Sequence, residues 1–182
     1  MGIIVQQGQK TDVTKNNKNV KKFTIGLGWD TRSEFDIDAA AFILNSNGKT
    51  DSDNEFVFYN NDNWGNGAVI HRRESGAADK EEIKIEIDKI PEKVSKIAFT
   101  GTIYDFESRR QSFGQIKNIY IRVLNGETGE EILRYNIEDN FSLETAIVFG
   151  ELYRYNWEWK FNPIGSGYNG GLNSLCKDFG VE

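Results

Sequence analysis

Ile83, Ile85 and Ile87 alternate with Lys84, Glu86 and Asp88, which gives an extended backbone one apolar face and one charged face. A strand patterned in this way has to lay its apolar face on a second layer. The same requirement recurs along the chain. Residues 20–27 alternate after their first positions, 36–44 read as a second strand, and 55–59 form a short apolar run. Further strands are predicted at 68–71, 96–104, 118–124 and 131–137, with 146–149 and 152–161 as one more long strand or bent pair. Trp157 and Trp159 share a face of that last segment and are expected to pack a sheet. Asn47-Gly48 and Asn125-Gly126 are hairpin turn signals, and residues 60–67 are loop. Leu172, Leu175, Cys176 and Phe179 recur at helical spacing, and Gly180 falls where a glycine ends a helix. Together these predict a mainly β chain, an antiparallel β-sandwich with a short C-terminal helix, in one domain over residues 1–182.

Composition narrows the chemistry. A net charge of −6 argues against nucleic acid, which needs a basic footprint. With one cysteine, Cys176, an internal disulfide and a cysteine-based zinc site are ruled out. With one histidine, His71, multi-histidine metal sites are ruled out as well. The opening residues lack a basic segment followed by a long apolar one, no run approaches the length of a membrane span, and Gln6 breaks the myristoylation motif. The expected compartment is the cytoplasm, without stable membrane insertion.

The charged anomaly is Asp30, Asp36 and Asp38, three carboxylates set in sequence that otherwise reads as buried strand. Asp36 and Asp38 point to one side while Phe35, Ile37 and Ala39 point to the other, and like charges crowded on one strand face destabilise it. Asn60, Asn61 and Asp62 form a second oxygen-rich connection, and Glu74, Asp79, Glu81 and Glu82 a third. Loops of a sandwich gather at its two ends. Either the three regions meet around a cation, for which Ca²⁺ with its six to eight oxygen ligands is suited, or they are separate solvated loops. Asp51-Ser52-Asp53-Asn54-Glu55 lacks the glycine of an EF-hand loop and reads as a solvated turn. Cys176 belongs to the apolar face of the helix. His71 is a satisfied polar residue or one that orients a ligand, and no arrangement makes a convincing enzyme.

Several ordered motifs carry a resemblance. Leu27-Gly28-Trp29-Asp30, Phe35-Asp36-Ile37-Asp38-Ala39, Phe56-Val57-Phe58-Tyr59-Asn60-Asn61, Ile103-Tyr104-Asp105, Arg110-Gln111-Ser112-Phe113-Gly114-Gln115, Glu144-Thr145-Ala146 and Phe149-Gly150-Glu151-Leu152-Tyr153-Arg154 resemble the TerD family of bacterial tellurium-resistance and stress proteins. The resemblance runs over essentially the whole chain. It implies a cytoplasmic, calcium-binding β-sandwich that acts in tellurite and chemical stress without catalysis, alongside other stress-response proteins. The implied metal ligands are Asp30, Asp36, Asp38, Asn60, Asn61, Glu74, Asp79 and Glu81, for one or two Ca²⁺ ions. The third acidic loop is shorter than the family pattern. Glu74 stands for its first aspartate, Ala77 and Lys80 replace two acids, and Arg72 and Arg73 flank the run, which predicts weaker calcium binding. The alternative is a metal-independent interaction scaffold of the same fold.

Overall fold

The computed structural model describes residues 2–32, 34–73, 78–138 and 140–182. In chain order the strands are β1 (Ile3–Ile4), β2 (Thr11–Asp12), β3 (Lys22–Asp30), β4 (Ile37–Leu44), β5 (Phe56–Val57), β6 (Asn63–Trp64), β7 (Val69–Arg73), β8 (Glu81–Glu86), β9 (Lys96–Ile103), β10 (Lys117–Asn125), β11 (Glu131–Asn136), β12 (Ala146–Tyr155) and β13 (Glu158–Tyr168). A four-residue helix α1 (Phe106–Arg109) follows β9, and α2 (Gly171–Phe179) closes the chain. Among the described residues these strands form two sheets. Sheet A has the order β1-β11-β10-β3-β8-β7-β6, and sheet B has the order β2-β13-β12-β9-β4-β5. Every pairing is antiparallel except β1 with β11. The predicted sandwich is therefore the observed fold.

Alternation builds the core. Phe23, Ile25, Leu27 and Trp29 of β3 and Ile83 and Ile85 of β8 face inward from sheet A, and meet Ile37, Ala39, Ala41 and Ile43 of β4 and Phe99 of β9. The opposite parity of β4 places Ala40, Phe42 and Leu44 on the outer face of sheet B, where α2 covers them with Leu175 and Phe179. Gly171 begins α2 by donating its N–H to Thr145 Oγ1 at 2.9 Å, and Gly180 ends it in the left-handed region at φ 81°.

The outer face of sheet A is polar. Gly26 and Gly28 leave room on β3 that a Cβ would fill: one on Gly26 would run into the Asp79 carboxylate, and one on Gly28 into the Tyr120 ring. Arg122 grips Asp79 in that space, with Nε 2.9 Å from Oδ1 and Nη2 2.9 Å from Oδ2, while Nη1 reaches Glu131 at 3.2 Å. The Tyr120 hydroxyl lies 2.7 Å from Asp79 Oδ1, and burial together with that carboxylate pushes its pKa up to about 12.

Two sequence expectations fail for identifiable reasons. Residues 146–161 form a hairpin whose turn is Asn156-Trp157, with φ of 47° and 70°. Trp159 is buried as expected, but Trp157 is 94% exposed at the tip, in a position where a two-residue turn favours glycine. The stretch 51–55 is only partly solvated, because Glu55 is buried, accepts the Asp51 N–H at 2.6 Å and pairs with Lys93 at 2.9 Å.

The close approach at Gly26 yields a direct expectation. Gly26→Ala should displace Asp79 from Arg122 and cost about 2 kcal/mol, lowering the melting temperature by roughly 4–8 °C. A thermal melt unchanged within about 1 °C would contradict this packing.

Candidate functional site

At the end of the sandwich where β7 and β8 approach β4, alternation turns polar side chains inward. His71 follows Val69 on the inward parity of β7, and Glu81 precedes Ile83 on that of β8, so both are buried. His71 Nε2 lies 2.6 Å from Glu81 Oε1. Glu81 Oε2 accepts the Ala39 N–H at 3.0 Å, which joins sheet A to sheet B. Strand β5 pairs with β4 only at Ala41 and Phe42, so Ala39 lies beyond its reach and Glu81 caps that margin of β4.

Arg73 continues the inward parity of β7 beyond His71 and crosses to β4. Its Nη2 pairs with Asp38 Oδ1 and lies 3.4 Å from Asp36 Oδ1, and its Nε is 4.0 Å from Glu81 Oε1. The guanidinium sits 5.3 Å from the centre of the Tyr59 ring. Asp38 is held above the ordinary carboxylate pKa chiefly by burial, and the charges of Asp36 and Glu81 add to the rise while Arg73 opposes it. Arg32 and Lys80 line the same cleft as Arg73, Asp36 and Glu81.

Of the eight residues implied as ligands, the structure brings Asp36, Asp38 and Glu81 together. Asp30 ends β3 on the outer face of sheet A, where its Oδ2 accepts from Asn118 at 2.6 Å. Asp79 is on that same outer face, held by Arg122 and Tyr120. Strand parity puts Asp30 on that face, whereas Asp79 precedes β8 and is carried there by its contacts with Arg122 and Tyr120 over Gly26. Asn61 closes the turn that bridges back to Phe58, and its side-chain nitrogen donates to the carbonyls of Asn54 at 3.1 Å and Phe56 at 2.8 Å. Asn60 is exposed in that turn, which docks on β7 through the His71 N–H to the Asp62 carbonyl at 2.9 Å. Glu74 lies outside the described residues.

With Arg73 in place, the described residues do not fit Ca²⁺. Both Glu81 oxygens are engaged, Asp36 and Asp38 share a guanidinium, and Asp30 and Asp79 are elsewhere, so among the described residues the side-chain oxygens fall far short of six to eight. Among the described residues no group of three His, Cys, Asp or Glu side chains is placed to hold a metal ion.

Sequence reasoning weighed Arg73 only as a flank of the acidic loop and missed its place among the carboxylates. The available signal was parity, since Arg73 follows the inward His71 by two residues. It also missed a cleft of about 370 Å³ on the outer face of sheet B, beside Asp38. Ala40 and Thr102 form its floor, and Tyr59, Tyr104, Phe106 and Leu172 are among its walls. One wall continues an aromatic ladder in which Phe42 and Phe56 stack at 4.7 Å and Phe56 and Phe58 at 4.3 Å. Asp38 and Asp105 are the charged groups of its described lining.

The raised pKa of Asp38 sets a sign. The folded state binds that proton more tightly than the unfolded chain, so stability from this group is fully present below the ordinary aspartate pKa of about 3.9 and is lost as pH rises through the raised folded pKa. The unfolding free energy of wild type minus that of Asp38→Asn should therefore fall as pH rises through this window and level off above it. Chemical denaturation across an acidic pH series checks this, and a difference that climbs with pH would contradict it.

Comparison with known proteins places this arrangement. The family model described as the TerD domain matches residues 1–179. General stress protein 16U of Bacillus subtilis (strain 168) is 45% identical over 191 residues, covering 100% of this chain and 99% of the relative. Tellurium resistance protein TerD of Serratia marcescens is 44% identical over 190 residues, covering 100% and 99%. The crystal structure of a Streptomyces coelicolor homologue of the telluride resistance protein TerD shares the fold at a TM-score of 0.65 and 18% identity, covering 86% of this chain and 95% of that one. The chain belongs to the TerD family.

Proposed function

We propose that this chain is a non-enzymatic stress-resistance protein, acting in tellurite and chemical stress by holding a partner protein. The observation that carries this is the aromatic-walled cleft beside Asp38: an apolar floor, exposed Tyr59, Tyr104 and Leu172 on its walls, and carboxylates as its charged groups. Its occupant is an apolar segment of a partner stress-response protein that carries a basic residue to meet Asp38 and Asp105. The names of the relatives, a general stress protein and a tellurium resistance protein, support the physiological role.

A binding role also suits the reactive groups. Cys176 sits on α2, with its thiol pKa pushed up mainly by burial and further by the Asp53 charge, which leaves it a poor nucleophile. His71 lies in the other sheet, buried and engaged by Glu81, so it has no thiol to activate. Among the described residues no helix is long and apolar enough to cross a membrane. We place the protein in the cytoplasm.

Expression in a tellurite-sensitive host lacking its own relative tests this proposal. Wild type should restore growth on tellurite. Leu172→Asp with Tyr104→Ala should lose that protection while melting within about 3 °C of wild type, since both side chains are exposed. A double variant that protects as well as wild type would overturn the cleft as the working surface.

A further inference from the structure

Three carboxylates from different parts of the chain share one cation that the chain itself supplies. Asp36 immediately precedes β4 and Asp38 is its second residue, Glu81 comes from the start of β8, and the guanidinium of Arg73 from the end of β7. Left alone, such acids repel one another across a partly buried space, and one of them would protonate or the segments would separate. A guanidinium suits the role of counter-charge. It stays protonated at any physiological pH, its planar fork addresses several carboxylate oxygens at once, and its flat face packs on an aromatic ring. Here that ring is Tyr59. A divalent ion in the same place would find neither Glu81 oxygen free and would have to displace Arg73, with Arg32 and Lys80 adding positive charge to the same cleft.

We propose that Arg73 is the resident cation of this end of the sandwich, a built-in counter-charge standing where the family resemblance implies calcium, so that the acidic end is set without a divalent ion. This inference does not rest on the partner-binding cleft. It makes the chain indifferent to calcium, and it makes Arg73 the residue whose removal frees Asp36 and Asp38 to take a divalent cation that fills its remaining positions with water.

Thermal unfolding of wild type and R73Q, each in a chelator and in millimolar CaCl₂, with calorimetric calcium titration of both, tests the proposal. Wild type should melt within about 1 °C in the two solutions and give no binding heat. R73Q should melt roughly 4 °C or more below wild type in chelator, recover at least about half of that loss with CaCl₂, and bind calcium in the titration. Wild type gaining as much as R73Q from calcium would overturn the proposal, and so would R73Q matching wild type in chelator. An R73Q protein that is destabilised yet indifferent to calcium would overturn it too, reducing Arg73 to an ordinary ion pair. If R73Q fails to fold in chelator, refolding yield with and without CaCl₂ replaces the melt, and equal yields overturn the proposal.

Discussion

The buried carboxylate of Glu81 ties the two sheets together at the end where the acids gather. One oxygen accepts from the Ala39 amide that β5 is too short to reach, and the other is hydrogen-bonded to His71 Nε2. A charge this buried is tolerated only where its lone pairs are satisfied and an opposite charge is near. Both conditions are met, the second by Arg73 at 4.0 Å. Once Glu81 is fixed, β7 and β8 are held against β4, and Arg73 extends from β7 into the space beside Asp36 and Asp38. Carboxylates that would otherwise drive that corner apart become the groups that bind it to the opposite sheet.

A second consequence is the division of labour among the acids. Asp79 and Glu81 are two residues apart and both buried, yet they serve different faces of sheet A. Glu81 points into the sandwich, whereas Asp79 lies over Gly26 on the outside, where Arg122, Tyr120, Glu131 and Arg134 form a polar layer. Each acid has its own arginine. What looks in sequence like one oxygen-rich loop for a metal is, in space, two separate ion-pair systems on either side of β3 and β8.

Much of this was legible from residue alternation alone. The isoleucines of β8, the inward Ile37 and Ala39 against the outward Asp38, and Leu175, Cys176 and Phe179 of α2 fell where a period of two or of 3.6 placed them, whereas Leu172 of the same helical set is exposed at the cleft. Asp36, Asp38 and Glu81 were expected to meet as part of a larger calcium-ligand set, and in the structure these three lie around the guanidinium of Arg73. The misses have physical causes. Asn156-Trp157 did not read as a turn because tryptophan stands where glycine is favoured at positive φ, so the hairpin looked like continuous strand. Asp30 and Asp79 were grouped with the site by their nearness in sequence, although Asp30 alternates with the inward Trp29, and Asp79 lies just before β8, where no strand period fixes its side. Arg73 was read as a basic flank although its parity with His71 turns it inward, and only the reach of its long side chain to β4 is encoded by no local pattern.

The space between Asp36, Asp38 and Glu81 holds either the Arg73 guanidinium or a metal ion. A crystal structure of the wild-type protein grown in CaCl₂ measures it directly. Planar guanidinium density from Arg73 in contact with Asp36 and Asp38, with no metal peak between them, is the predicted result. A peak ringed by about seven oxygens at roughly 2.4 Å, with Arg73 swung out to solvent, would contradict it.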